Sequence, residues 1–376
     1  METKKNLSLP IYENWQAFKC NIPSRGHYEY EMLSDAIITG ENTTDFGPYQ
    51  FINPVCRTQG VRAVLILRLD YRLREYGERP FDMKETDVGC YHGGDLPDEI
   101  AALASLSMGV RIKAGKLTRE FAPSNDKFGR PVGWQDSFIP DIKLEYGRYK
   151  LPSVVRECSV VSLEPLKYLA DLSEIDTVLL VKAARLYQQA LWVAESDPSL
   201  SWIMFVSALE TAAEQWRRNQ SSNEERLRGS KEELYNYLVS LSTPGLTEKV
   251  ANFLSDSLGA TREFVDFVIT FLPEPPEKRP PEYLQILWES KQFEKSLKII
   301  YDYRSKALHG GTPFPYPMCE SPYYQKDFQA LAEKPTGLAC QANSGVWLID
   351  DTPLLLNTFE YITRGCLLKW WEQLRK

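Results

Sequence analysis

The sequence predicts an α+β fold, in which an N-terminal mixed α/β or β-rich domain is followed by a C-terminal all-α helical bundle. Up to about residue 171 the apolar spacing is mixed and glycine and proline recur often, whereas long helical periods dominate from residue 172 onward. The chain has 376 residues, 43% hydrophobic and 25% charged, which is typical of a soluble globular protein with room for two domains. We therefore predict domains at residues 1–171 and 172–376.

The N-terminal domain is predicted around one strand at residues 61–73. This segment alternates at its ends and is continuously apolar in its middle, as expected of a strand covered on one or both faces. Residues 36–39 and 49–52 are candidates to pair with it. A helix is predicted at residues 97–108, and the Gly- and Pro-rich stretch 115–133 is interpreted as loops around short strands.

Two short patterns in this domain suggest other chemistry. Gly109 and Gly115-Lys116 resemble a phosphate-binding loop, but five residues separate the glycines and Leu117 occupies the Ser/Thr position, which argues against one. Cys90 and His92 would share a face if extended, as a thiolate nucleophile and its base must, so a Cys-His hydrolase is one alternative function. The simpler interpretation is a partly buried cysteine beside a loop histidine.

The C-terminal domain is predicted as a series of amphipathic helices interrupted by two insertions. Five prolines among charged residues at 273–281 indicate a stiff, exposed insertion, and the Pro- and aromatic-rich residues 312–350 form a long excursion. Besides the helix that ends near residue 310, the predicted helices are 174–196, 202–216, 231–241, 246–272 and 354–374.

An arginine lies inside the apolar stripe of the helix that ends near residue 310. Arg304 follows Phe293 by eleven residues, close to three helical turns, so its guanidinium points where a hydrocarbon is expected. An unpaired buried charge costs several kcal/mol, so this arginine needs a partner or an anion. Gly310 and Gly311 end the helix just after His309. The stripe consists of Phe293, Leu297, Ile300, Tyr301 and Leu308.

Residues 301–310 have the form Tyr-x-x-Arg-Ser-Lys-x-x-His-Gly, which contains the shorter pattern Arg-x4-His. This resembles the signature of the HEPN superfamily of helical domains, and its fuller form resembles the Apea-like branch. Residues 202–210, an aromatic-aliphatic run ending in Ala-Leu-Glu at Glu210, resemble a second segment of that branch. The resemblance covers roughly residues 172–376, with weaker similarity at 100–131.

The resemblance implies a helical bundle that pairs as a homodimer, and a metal-independent ribonuclease of the kind found in defence and toxin systems. Arg304 and His309 would take the two catalytic positions of the motif, and Ser305 its polar position. Glu210 would support the site or pair with a helix cation. Such proteins often carry an extra N-terminal domain, which here would sense a trigger or select the target.

The same chemistry follows from the two side chains. Cutting RNA without metal requires proton transfer at the ribose 2′-oxygen and the leaving 5′-oxygen, which an imidazole performs near neutral pH. A guanidinium binds phosphate with two parallel hydrogen bonds. Five residues turn an ideal helix through about 500°, so Arg304 and His309 do not share a face. They can converge only through the reach of the arginine, distorted geometry at the helix end, or a second copy of the chain. This domain has one histidine, so separate acid and base groups point to two chains that share one cleft. DNA, which lacks the 2′-hydroxyl, should not be cut.

The basic residues of the C-terminal domain are candidates for RNA contact. Lys306, Arg217 and Arg218 are the proposed contacts, and residues 226–231 form a second basic stretch. The net charge of −7 does not favour a broad surface for duplex nucleic acid.

The cysteines and the lengths of the apolar runs indicate the cellular compartment and the kinds of partner. The seven scattered cysteines indicate reduced thiols, and neither a signal peptide nor an apolar run of about 20 residues is seen, so we expect a cytoplasmic protein without membrane contact. We expect no cofactor and no metal. The partners would be RNA, a second copy of the chain, and a possible neutralising or sensor protein.

The sequence thus predicts an endoribonuclease of antiviral defence or of a toxin-type growth-arrest system. The alternative is a catalytically silent HEPN-like scaffold that binds RNA or protein. In that case Arg304 would be a buried ion-pair arginine, with Glu210 or Asp302 as partner, and His309 a residue stabilised by the C-terminal end of the helix dipole.

Overall fold

The computed structural model describes residues 8–54, 60–73, 86–123, 126–133, 138–218, 222–241, 243–254, 259–288 and 290–375. These residues have the predicted α+β architecture, with a sheet in the N-terminal part and helices in the C-terminal part. The chain divides into two compact units, residues 1–204 with 370–376, and residues 205–369. We call them the first and the second unit.

The first unit combines one main sheet with helices. Its elements are α1 (Pro10–Lys19), β1 (Gly26–Ser34), β2 (Ile37–Thr39), β3 (Tyr49–Ile52), β4 (Arg62–Tyr71), α2 (Leu96–Met108), β5 (Lys113–Phe121), β6 (Arg130–Pro131), β7 (Glu157–Ser159) and α3 (Glu174–Val193).

The main sheet is antiparallel and has the strand order β3-β4-β1-β5-β6. The predicted central segment 61–73 corresponds to β4, whose Leu65, Leu67 and Leu69 are buried on one face, as alternation requires. Residues 49–52 pair with β4 as predicted. Residues 37–39 instead pair in parallel with β7, so the predicted pairing of this segment with β4 was wrong.

The prediction of loops at residues 115–133 was wrong in part, because β5 is a nine-residue strand paired with β1. Most of its side chains are half-buried on both faces, so it lacks the apolar alternation that reveals a strand. Helix α2 matches its prediction and ends at Gly109, which has a left-handed φ of 66°. Gly109 therefore caps a helix and Gly115 lies within β5, which is not the arrangement of a phosphate-binding loop.

Helix α3 belongs to the first unit. The domain boundary predicted between residues 171 and 172 therefore lies inside the first unit, which extends to residue 204. The helix is bonded to the segment that follows α2. The amide of Gln188 donates to the carbonyl of Ile112 at 2.6 Å, and Arg111 Nε donates to the carbonyl of Leu191 at 2.8 Å. These side-chain bonds link positions about 80 residues apart, which helical periodicity alone does not reveal.

The second unit is mainly helical. Helix α4 (Pro198–Arg218) begins in the first unit and continues into the second. It is followed by α5 (Asn223–Ser230), α6 (Glu232–Ser240), α7 (Leu246–Leu254), α8 (Ala260–Thr270), α9 (Ser290–Gly310), β8 (Tyr324–Gln325), β9 (Ala330–Leu331), β10 (Ala339–Ala342), β11 (Gly345–Leu348) and α10 (Leu356–Leu374), which belongs to the first unit from residue 370 onward. The helix predicted at 246–272 is thus two helices, with Gly259 in a left-handed conformation of φ 74° before the second.

Both predicted insertions are held by specific contacts. The carbonyl of Glu274 accepts a hydrogen bond from the hydroxyl of Tyr361 at 2.9 Å, and Arg279 donates to both carboxylate oxygens of Glu333 at 2.8 and 2.6 Å. Pro280 is buried, so the insertion 273–281 is less exposed than predicted. The excursion 312–350 contains two small hairpins, β8–β9 and β10–β11. Every helix among the described residues is too short or too polar to cross a bilayer.

Candidate functional site

Helix α9 carries the Arg-x4-His motif on 21 residues of uninterrupted helix. Its apolar stripe is buried at Phe293, Leu297 and Ile300, which are at most 1% exposed. Leu308, which the sequence placed in the same stripe, is 49% exposed, so that assignment was wrong. The stripe stops short of Leu308 because the last turn of the helix lies at the surface. Gly311, at a left-handed φ of 64°, follows the helix, as its stop signal predicted.

Arg304 is paired with one carboxylate among the described residues. Its Nη2 donates to Oε2 of Glu210 on α4 at 2.6 Å, and both side chains are about 20% exposed. The guanidinium also lies 5.8 Å from the centre of the Tyr301 ring. Its Nε is buried and finds no hydrogen-bond partner among the described residues. The guanidinium of Arg304 is therefore hydrogen-bonded at Nη2, whereas its Nε has no partner among the described residues.

Tyr301 completes this group as a neutral donor. Burial raises the pKa of Glu210, and this effect is opposed by the positive charge of Arg304 and by a hydrogen bond from Tyr301. Burial and, next, the negative charge of Glu210 raise the pKa of Tyr301 to about 12. The hydroxyl therefore keeps its proton at neutral pH and supports the carboxylate that binds Arg304.

Arg304 and Glu210 line a cavity of about 350 Å³. A second ion pair lines the same cavity, formed by Arg226 Nε and Nη2 with the two oxygens of Glu263 at 2.8 and 3.1 Å. Glu214 also lines it, so two arginines face three glutamates. The cavity can hold a small polar group, but its formal charge is negative, and a phosphate there depends on Arg304 turning one donor toward it.

His309 is exposed in the last turn of α9. It follows Arg304 by five residues on a continuous helix, which separates the two side-chain directions by about 140° around the axis. Ser305 is half-buried beside Arg304. Lys306 is exposed and pairs with Asp302 at 2.6 Å. Within a single chain, Arg304 is therefore paired with Glu210, and His309 lies on a different face of α9.

The predicted basic contacts are less available than the sequence suggested. Arg226 is only 8% exposed in its ion pair with Glu263, so that part of the basic stretch is not a basic surface. Arg217 lies 3.8 Å from Asp266. The side chain of Arg218 falls outside the described residues. Lys306 of the motif is 55% exposed and is paired with Asp302.

Sequence reasoning missed Tyr301 as a polar residue and the pair of Arg226 with Glu263. Tyr301 precedes Arg304 by three residues, a spacing that puts the two on one helix face and could have indicated contact. No local signal links residues 226 and 263, which are 37 positions apart.

The alternative Cys90–His92 site has a different geometry from the one a hydrolase needs. His92 Nε2 lies 2.8 Å from Oε1 of Glu99, and both side chains are at most 4% exposed. Burial raises the pKa of the Cys90 thiol, which disfavours the thiolate nucleophile. The imidazole is thus directed at a buried carboxylate. Across the part of the chain that the structure describes, no three His, Cys, Asp or Glu side chains cluster as metal ligands would.

The chain was compared with known proteins at the level of sequence families, individual sequences and folds. No protein family model matches it, and no curated protein or solved structure does.

Proposed function

We propose that this protein is an endoribonuclease that cleaves RNA without a metal ion, by attack of the ribose 2′-hydroxyl, and that its C-terminal helices act as a HEPN-type homodimer. The observation that carries the proposal is the buried Nε of Arg304, which has no acceptor among the described residues although the side chain borders a cavity. A buried donor without a partner is costly, and a phosphate oxygen would satisfy it.

Each motif residue then has a stated task. Arg304 binds the scissile phosphate and neutralises the charge that develops in the transition state. His309 transfers a proton at the 2′-oxygen or the leaving 5′-oxygen. Glu210, with Tyr301, is a positioning residue because it holds Arg304 at 2.6 Å in the cavity wall. Ser305 and Lys306 are proposed as lesser contacts to the RNA backbone, and Arg217 and Arg218 as outlying ones.

The helix geometry supports the proposed homodimer, since one chain presents Arg304 and His309 about 140° apart around the axis of α9. His309 is exposed next to the exposed apolar side chain of Leu308, a combination suited to a surface where two copies meet. In a shared cleft on a two-fold axis, the imidazole of one chain acts as base and that of its partner as acid.

The biological setting follows from the resemblance described above. We propose that the nuclease damages cellular or phage RNA in the cytoplasm, in antiviral defence or growth arrest. The N-terminal domain would sense a trigger or select the target, and a neutralising or sensor protein would restrain the activity.

The direct test is an RNA cleavage assay in EDTA with the purified full chain. We expect products with a 2′,3′-cyclic phosphate, no cleavage of DNA of the same sequence, and a loss of about 100-fold or more for Arg304→Ala or His309→Ala. Arg262→Ala is the matched control, because Arg262 is a 63% exposed arginine of the same unit. Cleavage that persists at the wild-type rate in both motif variants would remove these residues from the mechanism.

Subunit mixing tests the shared cleft. Wild-type and His309→Ala chains are denatured together at equal amounts and refolded. If one cleft needs both imidazoles, only wild-type pairs are active and the mixture retains about a quarter of the wild-type rate. If each chain acts by itself, about half remains.

A second candidate is the silent scaffold, and the 2.6 Å ion pair between Arg304 and Glu210 favours it. In a scaffold the pair would serve folding alone, so Arg304→Ala would destabilise the protein by several kcal/mol and the wild-type chain itself would not cleave RNA. A catalytic arginine is instead removed at small cost in stability. Chemical denaturation of the same variants used in the cleavage assay decides between the two.

A further inference from the structure

The polar face of the main sheet in the first unit borders a cavity of about 860 Å³. Strand register places three of its lining residues in one row, with His27 of β1 opposite Asp70 of β4 and Phe121 of β5. Two residues along β4, Arg68 points to the same face. A cavity of this volume is in the range of small-molecule sites.

Aromatic side chains form walls of this cavity. Trp15 and Phe18 of α1 meet edge to face with centroids 5.8 Å apart, and both line it together with Phe121. The Trp15 ring packs directly on the backbone at Gly47, where an added Cβ would lie 1.8 Å from the ring. Gly47 also has a left-handed φ of 61°, so this wall is set by a position that only glycine fits well. Rigid aromatic walls favour a planar ligand.

Two of the charged residues that line the cavity, Arg68 and Asp70, are paired with neighbours. Arg68 Nε donates to Glu29 at 2.9 Å, and Arg72 Nε donates to Oδ2 of Asp70 at 2.8 Å. Asp126 accepts hydrogen bonds from the backbone N–H groups of residues 122, 128 and 129, which lower its pKa. The lining therefore carries charges of both signs, and its arginine is already paired, so the site suits a ligand without net charge.

One acceptor remains open. Oδ1 of Asp70 is buried and has no hydrogen-bond partner among the described residues. His27 Nε2 lies 3.8 Å from this oxygen, which is beyond hydrogen-bond distance. A buried carboxylate oxygen without a donor is costly, so a ligand that brings an N–H group gains from meeting it.

We propose that this cavity binds a nucleobase, whose planar ring packs against the aromatic walls and whose ring or amino N–H group donates to Oδ1 of Asp70. Nucleobases combine a flat neutral ring with donors and acceptors on its edge, which are the features that this cavity matches. The base belongs to a free nucleoside or to an unpaired nucleotide of an RNA strand. The site uses none of the residues proposed for cleavage.

Isothermal titration of the full chain with adenosine, guanosine, cytidine and uridine tests the proposal. A second arm uses single-stranded RNA tetranucleotides and the Arg304→Ala/His309→Ala protein, so that cleavage does not interfere. We expect at least one nucleobase to bind, with affinity about tenfold weaker in Asp70→Asn and in Phe121→Leu. Glu145→Gln is the control, because Glu145 is an ion-paired carboxylate of the same unit that does not line the cavity.

A cooperative thermal unfolding transition establishes that each variant is folded. If Asp70→Asn does not fold, His27→Ala is used in its place. Binding of free nucleosides that the variants weaken supports a free ligand. Binding of tetranucleotides alone, weakened by the same variants, supports an unpaired base of RNA. The proposal is overturned if the folded wild-type chain binds neither at millimolar concentration, or if the cavity variants bind as tightly as wild type. Neither result depends on whether the protein cleaves RNA.

Discussion

Two arginines, one in each unit, show how differently a guanidinium can be used. Arg111 in the first unit is fully buried and donates from Nε to Leu191 at 2.8 Å, from Nη1 to Asp35 at 2.7 Å and from Nη2 to Glu195 at 2.5 Å. Arg304 in the second unit is 20% exposed and has one carboxylate partner, while its Nε has none among the described residues. The first guanidinium is satisfied by the fold, whereas the second keeps a donor for something else.

The carboxylate partners of the two arginines also differ in how many segments of the fold they connect. Glu195 also accepts the backbone N–H groups of Lys150 and Leu151 at 2.6 and 3.3 Å, so it connects three segments of the first unit. Glu210 is joined by Tyr301 and borders a cavity. In a complete network the attraction between partners offsets the cost of desolvating the charges, but removing one member leaves a buried charge without a partner. The fold is therefore expected to depend more on Arg111 than on Arg304.

The largest effect is expected at Arg111. Arg111→Met should reduce the free energy of unfolding by about 3–5 kcal/mol, because two buried carboxylates, Asp35 and Glu195, lose their counter-charge. Arg304→Ala should cost about 1 kcal/mol or less, as is usual for a partly exposed pair. Urea denaturation of both variants measures the difference. Equal losses would show that Arg304 is as structural as Arg111.

Arg226 provides a second contrast with Arg304 in the same unit. It shares the cavity with Arg304 but is 8% exposed and donates to both oxygens of Glu263. We expect Arg226→Ala to reduce the free energy of unfolding by about 2–3 kcal/mol, more than Arg304→Ala. If Arg304→Ala proved the more destabilising variant, its open Nε would not mark a functional donor.

Glu210 gives a pH test of the Arg304 pair. Burial raises the folded-state pKa of Glu210 above the ordinary 4.5, so the native chain holds this proton more tightly than the unfolded chain. Its contribution to stability is fully present below pH 4.5 and is lost as pH rises through the raised pKa. Glu210→Gln should therefore flatten this decline in denaturation curves from pH 4 to 7. An unchanged slope would mean that Glu210 titrates normally.

The smallest effect is expected at Cys90, which lies near the buried pair of His92 and Glu99. Because burial raises the pKa of its thiol, Cys90 should react slowly with iodoacetamide at neutral pH, and Cys90→Ser should leave RNA cleavage unchanged. Mass spectrometry after timed alkylation measures the reaction, with the exposed Cys20 as internal reference. Modification of Cys90 ahead of Cys20 would revive the thiol hydrolase.

Apolar spacing and stop signals within one segment predicted those helices and strands that have one buried face and one exposed face. The order of sheet and helices, strand β4, helix α2 and the end of α9 at Gly311 followed from apolar spacing and stop signals. Strand β5 was missed because its side chains are half-buried on both faces, which removes the alternation. The split of the predicted helix at 246–272 was missed because its apolar period continues through both parts.

Apolar spacing alone predicted that Arg304 would lie in the apolar stripe of its helix and need a partner, and that His309 would lie in the last helical turn on another face. Periodicity fixes directions around a helix, so these statements needed one segment only. The tertiary structure decided that the partner is Glu210, 94 positions away, and that Nε is left open. It also assigned α3 to the first unit. These outcomes depend on which distant segments pack together, and no pattern within one segment encodes that choice.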